Sequence, residues 1–296
     1  MHNAPVITPP LSPVDLDRIE RALGWRPTQW APASGRAGGA TAARLLVSAP
    51  GERAFVKLGT TELTANWFRR EHENYLALAG PFLPQLLGFS DDGTVPVLAI
   101  EDLSDATWPP PWDDEKIAQV LDALALVHAH PIPSHLTAMK DEFRGDWDSV
   151  AKAPEPFLAL GLCSAAWLEN AVPVLSAAAW AAPIQGSALL HFDIRSDNLC
   201  FRDGRAVIID WNAPIVGNPD VDLAAWLPSL ASEGGPHPEA ILPAAPELAA
   251  WIAGYFCAHA GLEPIPEAPH VRPLQLAQGR TSLPWAARAL GLPVPG

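Results

Sequence analysis

The segment running His191-Phe192-Asp193-Ile194-Arg195-Ser196-Asp197-Asn198 gathers two acids flanking a loop, an arginine, a histidine and a carboxamide within eight positions. An apolar run, Leu199-Cys200-Phe201, follows it, then the turn pair Asp203-Gly204, then Ala206-Val207-Ile208-Ile209 ending in Asp210-Trp211. An Asp-Gly pair between two apolar runs folds them into a hairpin. If 199–201 pair with 206–208, Asn198 and Asp210 meet at one mouth of the hairpin, and Asp193 lies on the loop before it. One carboxylate and one carboxamide oxygen suit Mg²⁺, a hard cation usually held by one or two protein carboxylates together with phosphates and water. Each acid taken alone reads equally as a turn cap or a strand end. Read as H-x-D-x-x-x-x-N, with I-D twelve residues after the asparagine, the set points to one site.

Upstream, Lys57 stands in the apolar run 54–58, and Glu71 shares a helix face with Trp67, Phe68, Tyr75 and Leu78. A charge on an apolar surface needs a partner or a route to water. Glu73 lies about 200° around that helix from Glu71 and points to solvent. The stretch Ser34-Gly35-Arg36-Ala37-Gly38-Gly39 can offer backbone N–H groups to an anion or form a plain hairpin loop. His128 and His130 form an H-x-H at a helix end with no third ligand at useful spacing, so they are read as structural. Trp108, Trp112 and Trp147, with Asp105, Asp146 and Asp148, are candidate walls of a pocket for a cationic or sugar-like molecule.

HFDIRSDN followed by IIDW resembles the aminoglycoside phosphotransferase and choline kinase superfamily, which shares the protein-kinase-like fold. The likeness spans most of 30–230 and is sharp over 189–223. It implies transfer of the γ-phosphoryl group of ATP, with Mg²⁺, to a hydroxyl of an aminoglycoside, amino alcohol or sugar-like acceptor. On that resemblance Asp193 orients the hydroxyl and takes its proton, and Asn198 and Asp210 hold the metal. Arg195 either contacts the moving phosphoryl group or braces the loop against Asp197 or Asp222. Lys57, held by Glu71, contacts the phosphates, and Gly35 and Gly38 cover them. Glu101 and Leu103 present backbone to adenine. His191 braces the loop, Asp197 is a solvated or capping acid, and Asp222, in a D-L-A segment, supports the catalytic loop. Two alternatives stay open, a catalytically silent nucleotide-binding module and a protein kinase. Against the second, Asp210 is followed by Trp211-Asn212, and no A-P-E segment appears.

The elements that must position these groups are legible in outline. Ser12-Pro13-Val14-Asp15 opens a short helix that Gly24 can end. Strands are expected near 44–47, 54–58, 86–89 and 95–100, with one long helix over 62–79. After 102–111 the pattern turns helical: 113–130, two or three helices in 131–186, short strands in 187–211, and helices broken by prolines in 222–290. The expectation is an α+β, two-lobed fold: a nucleotide-binding lobe over 1–102, with an antiparallel sheet and one helix, and a helical lobe over 103–296 with an acceptor-shaping insertion at 131–186.

Composition bounds the rest. With 19 Lys and Arg against 33 Asp and Glu, the chain of 296 residues has a formal charge of −14, which gives no footprint for nucleic acid and mildly favours a cationic small substrate. Hydrophobic residues at 49% argue for a compact globule. Three scattered cysteines make disulfides unlikely to hold it. The opening residues lack a secretory pattern, and 171–184 is too short and too rich in proline to cross a membrane, so a cytoplasmic protein with no membrane partner is expected.

Overall fold

The structure is a computed structural model and describes residues 11–33, 43–266 and 268–295. Helix α1 (Pro13–Leu23) starts where the Ser12 hydroxyl accepts the Asp15 N–H and stops at Gly24, whose φ of 78° is the left-handed cap. Then come β1 (Gln29–Pro32), β2 (Ala43–Ala49), β3 (Glu52–Leu58), α2 (Glu62–Ala77), β4 (Leu86–Ser90) and β5 (Val97–Ile100). The strands form one antiparallel sheet in the order β1-β2-β3-β5-β4. Because side chains alternate along β3, Ala54, Val56 and Leu58 face the cluster that includes Ile19 of α1, while Phe55 and Lys57 face the other way. Gly88 lets α1 approach the sheet: a Cβ there would come within 1.8 Å of the Ala22 carbonyl oxygen.

The remainder is mainly helical: α3 (Asp114–His128), α4 (Asp146–Lys152), α5 (Glu155–Leu158), α6 (Ala165–Ala181), then β6 (Ala188–Leu190), β7 (Leu199–Arg202), β8 (Arg205–Ile208) and β9 (Ile215–Gly217), and finally α7 (Asp220–Ser232), α8 (Pro246–Ala260) and α9 (Val271–Ala289). One large apolar core joins these helices and reaches Phe68, Leu98 and Ile100 beneath the sheet. No helix among the described residues is long and apolar enough to cross a membrane.

Two strands lie outside the expected ones, and one expectation is corrected. β1 and β9 carried no recognisable strand signal; each is short and owes its extension to a neighbour, β1 to β2 and β9 to β6. Prolines do not break every helix of 222–290: Pro228 and Pro284 lie inside α7 and α9, as Pro173 lies inside α6. An internal proline costs about 3 kcal/mol, and burial of these apolar helices outweighs it.

Candidate active site

β7 and β8 pair as Leu199↔Ile208, Cys200↔Val207 and Phe201↔Ala206, closed by Asp203 (φ 53°) and Gly204 (φ 72°). Both turn residues sit in the left-handed region that a two-residue hairpin demands. The Ile209 N–H donates to the Asn198 carbonyl at 2.8 Å, so the ends of the hairpin hold Asn198 beside Asp210. Asp210 itself is at φ 69°.

Lys57 crosses to this mouth from β3. Its Nζ donates to both oxygens of Glu71, at 2.7 and 2.8 Å, and to Asp210 Oδ1 at 2.7 Å. Lys57 and Glu71 are 2% and 0% exposed, so the lysine does not snorkel. Burial alone would strip its proton, yet the carboxylates of Asp210 and Glu71 overcome that and hold the ammonium above its ordinary value. Burial acts oppositely on Glu71 and, with repulsion from Asp210, pushes its carboxyl up against the pull of Lys57. For Asp210 burial is outweighed by Lys57, Arg44 and Arg195, which bring it down to about 2.

Asp193 stands on the loop before β7, with about 41% of its side chain open. Loss of solvent pushes its carboxyl up, and Arg195 and His191 partly offset this. Arg195 Nη1 donates to Asp193 Oδ1, while Nε and Nη2 grip Asp197 at 2.9 and 3.1 Å. Of the two expectations for Asp197, a solvated or a capping acid, the solvated one is corrected: it is a half-buried partner of Arg195, the bracing contact expected as one role of that arginine. Asn198 Nδ2 donates to the Asp193 carbonyl at 2.8 Å and to its Oδ2 at 3.0 Å.

The loop is pinned from beneath. Asp222, fully buried near the start of α7, accepts the Phe192 N–H at 2.7 Å and the His191 N–H at 3.1 Å, and its Oδ2 lies 3.0 Å from His128 Nε2. His191 Nε2 donates to the Ile209 carbonyl at 2.9 Å and Nδ1 accepts the Asp193 N–H at 3.2 Å. That pattern fixes a neutral ring protonated on Nε2, and burial keeps it neutral by lowering its pKa. Sequence reasoning left His128 only as half of an H-x-H; its partner lies 94 residues away. His130 instead accepts the Ala79 N–H at 3.1 Å.

A cleft of about 460 Å³ runs from this cluster to the connector after β5. Lys57, Asn198 and Asp210 close its polar end, and Leu46, Phe55, Ile100, Trp108 and Ile209 line an apolar slot. At the back edge the Glu101 N–H donates to the Gln85 carbonyl and the Leu103 carbonyl accepts Trp108 Nε1 at 3.0 Å. The Glu101 carbonyl and the Leu103 N–H have no hydrogen-bond partner among the described residues. An acceptor and a donor thus stand two residues apart at the edge of the slot. The Glu101 carboxylate is spent on Arg202 and the Gln85 N–H.

Asn198 Oδ1 and Asp210 Oδ2 also lack hydrogen-bond donors among the described residues. No group of three His, Cys, Asp or Glu among the described residues forms a ready cation cage. One carboxylate and one carboxamide fit a cation that completes its shell with phosphate and water. Gly35 and Gly38 lie outside the described residues. The tryptophan pocket is corrected: Trp147 is fully buried with Nε1 on the Ala250 carbonyl, Trp112 binds Glu233, and Asp148 binds Ser176 and Trp180. Only Trp108 lines the cleft, on its apolar side.

The profile of the Phosphotransferase enzyme family matches residues 33–265. No curated protein sequence matches the chain. Among solved structures, spectinomycin phosphotransferase APH(9)-Ia in complex with ADP and spectinomycin superposes with a TM-score of 0.62 at 13% identity, covering 93% of this chain and 95% of that one. A thermostable mutant of the aminoglycoside phosphotransferase APH(4)-Ia gives 0.59 at 14%, over 93% and 97% of the two chains. Choline kinase LicA from Streptococcus pneumoniae gives 0.58 at 14%, over 94% and 98%. At these identities the likeness is one of fold: an N-terminal antiparallel sheet over a helical C-terminal part.

Proposed function

Because the chain belongs to the Phosphotransferase enzyme family, we propose that it transfers the γ-phosphoryl group of ATP to a hydroxyl of a small molecule, with Asp193 as the base. The observation that carries the reading is that Lys57, Asn198 and Asp210 close the polar end of one apolar cleft, with Glu71 bonded to Lys57 and Asp193 bonded to Asn198 just behind them. In this reading residues 1–102 bind the nucleotide, and 103–296 supply the catalytic loop and, with the insertion at 131–186, the acceptor site. The slot takes adenine, with the Glu101 carbonyl and Leu103 N–H on its edge. Lys57 keeps two N–H groups on Glu71 and can turn the third from Asp210 to a phosphate oxygen. Asn198 and Asp210 would hold Mg²⁺, which neutralises phosphate charge when bound.

Asp193 accepts the proton of the acceptor hydroxyl through the carboxylate that Arg195 and Asn198 keep aimed. The new O–P bond then forms as the γ-phosphorus bond to the bridging oxygen breaks and ADP leaves. Arg195, anchored by Asp197, adds positive charge beside the moving group. Positioning supplies most of the rate. A silent nucleotide-binding module would have no use for the Asp193–Arg195–Asn198 cluster. A protein kinase is disfavoured because α7 begins at Asp220, soon after Asp210, which leaves little chain for docking a peptide.

The test is titration of the protein with AMP-PNP, with and without Mg²⁺, beside ATP turnover. Asp210→Ala should lose the Mg²⁺-dependent part of nucleotide affinity, and Asp193→Asn should retain it while losing turnover. Equal Mg²⁺-dependent affinity in Asp210→Ala would count against the metal assignment.

A further inference from the structure

Asn74 lies on the buried face of α2 with Phe68, Glu71 and Tyr75, one turn beyond Glu71. A buried carboxamide costs stability unless both of its ends are bonded, a cost that an apolar side chain does not carry. Both ends of Asn74 are bonded, and to segments far away in the chain. Its Nδ2 donates to the Trp211 carbonyl at 2.7 Å, and its Oδ1 lies 2.8 Å from Nε2 of His135, in the connection between α3 and α4. A carbonyl can only accept, so the amide nitrogen faces Trp211, the amide oxygen faces His135, and the histidine carries a proton on Nε2.

Trp211 follows Asp210 and is anchored in the helical part. Its side chain is fully buried, Nε1 donates to the Ile208 carbonyl at 2.9 Å, and the ring meets His191 edge-on at 4.6 Å. Asn74 therefore ties α2 to the peptide directly after Asp210. The backbone of Asp210 is left-handed, at φ 69°, a conformation that a residue other than glycine keeps only while its surroundings hold it. Here the hold comes from both sides: the Ile209 N–H on the Asn198 carbonyl before Asp210, and Asn74 on the Trp211 carbonyl after it.

These bonds close a ring. Asp210 is bonded to Lys57, Lys57 to Glu71, and one turn along α2 Asn74 returns to the peptide after Asp210. When Lys57 turns from Asp210 to a phosphate oxygen, the ring opens on that side, and the bond from Asn74 still holds α2 to the Asp210 segment. A slip of α2 against that segment would strand a buried amide, so the bond fixes the position of the helix as well as adding to its stability.

We propose that Asn74, its amide aimed by His135, is a positioning residue that keeps the Asp210 carboxylate at the metal site once Lys57 has moved to the nucleotide. It acts through the main chain of Trp211 and touches neither substrate nor metal. The proposal rests on the phosphotransfer reading and on its assignment of Asp210 to Mg²⁺.

The experiment titrates the folded protein with AMP-PNP, with and without Mg²⁺, and measures ATP turnover across a range of Mg²⁺ concentrations. Asn74→Leu, which keeps the shape and removes both bonds, should lose about tenfold of the affinity that Mg²⁺ adds and raise the Mg²⁺ needed for half-maximal turnover by a similar factor, with Mg²⁺-free affinity within about twofold of the wild type. His135→Phe, at the surface, should move both readings the same way by about threefold, and His135→Gln, which can supply the N–H that Nε2 supplies, should restore most of that loss. A purely structural role would lower the unfolding temperature and leave the Mg²⁺-dependent part of the affinity alone. Mg²⁺-dependent affinity unchanged in Asn74→Leu, or a loss equal with and without Mg²⁺, would overturn the inference and leave phosphotransfer standing. Should circular dichroism show Asn74→Leu unfolded, unchanged Mg²⁺-dependent affinity in His135→Phe overturns it instead. A wild type whose AMP-PNP affinity does not respond to Mg²⁺ overturns the metal assignment and this inference with it, while loss of turnover in Asp193→Asn would still support phosphotransfer.

Discussion

Replacing Lys57 by methionine removes the cation from between two carboxylates, one of them fully buried. Breaking a buried ion pair from one side costs about 3–5 kcal/mol, because the remaining charge is left without water or partner. For a chain of this size that is a fall in Tm of roughly 6–20 °C. The sign of the pH dependence follows from Glu71. Burial and Asp210 already raise its carboxyl against Lys57, and without Lys57 only the weaker pull of Arg44 opposes them. A carboxyl whose folded pKa lies above its unfolded value favours folding while protonated and loses that contribution as pH rises. The deficit of Lys57→Met relative to the wild type should therefore grow from pH 5 to pH 8, by up to about 1.4 kcal/mol per pH unit. Lys57→Met with Glu71→Leu removes the orphaned acid and should recover at least about half the loss, since a buried pair replaced by apolar groups is often near neutral. Thermal unfolding followed by circular dichroism at pH 5, 6.5 and 8 reads all three proteins. A loss under about 1 kcal/mol at pH 8, a deficit that shrinks as pH rises, or a double variant no better than the single one would refute the reasoning.

Arg195→Met removes the main charge that holds the Asp193 carboxyl down against burial, so the acidic limb of the kcat profile should move to higher pH, and Arg195→Lys should move it less. Asp222→Ala leaves the His191 and Phe192 N–H groups and His128 without their acceptor; it should cost about 3 kcal/mol or more in unfolding free energy, measured with denaturant, and lower kcat more than it raises the KM for ATP. Asp197→Asn should weaken the anchor of Arg195 and lower kcat by about tenfold with AMP-PNP affinity unchanged; equal kcat would show that Arg195 needs no second carboxylate.

The sequence revealed most where a local rule had a single solution. Ser12 and Gly24 bound α1 because capping chemistry depends on the residues themselves. The Asp203-Gly204 turn set the register of β7 and β8, and with it the meeting of Asn198 and Asp210. Helical angle alone separated Glu71 from Glu73, and the structure puts Glu71, not Glu73, on Lys57. What remained hidden depends on residues far apart in the chain. His128 and Asp222 meet across 94 positions, and Trp147 finds the Ala250 carbonyl across 103. The left-handed Phe192 was equally invisible, because an aromatic residue carries no signal for that conformation.

Phosphorus-31 NMR of the protein with MgATP and an acceptor that stimulates ADP release tests the central claim most directly. The account predicts a new phosphomonoester resonance growing in step with ADP, which Asp193→Asn slows by about 10²-fold or more while AMP-PNP still binds. Only inorganic phosphate appearing beside ADP, or a phosphomonoester forming at the wild-type rate in Asp193→Asn, would contradict it.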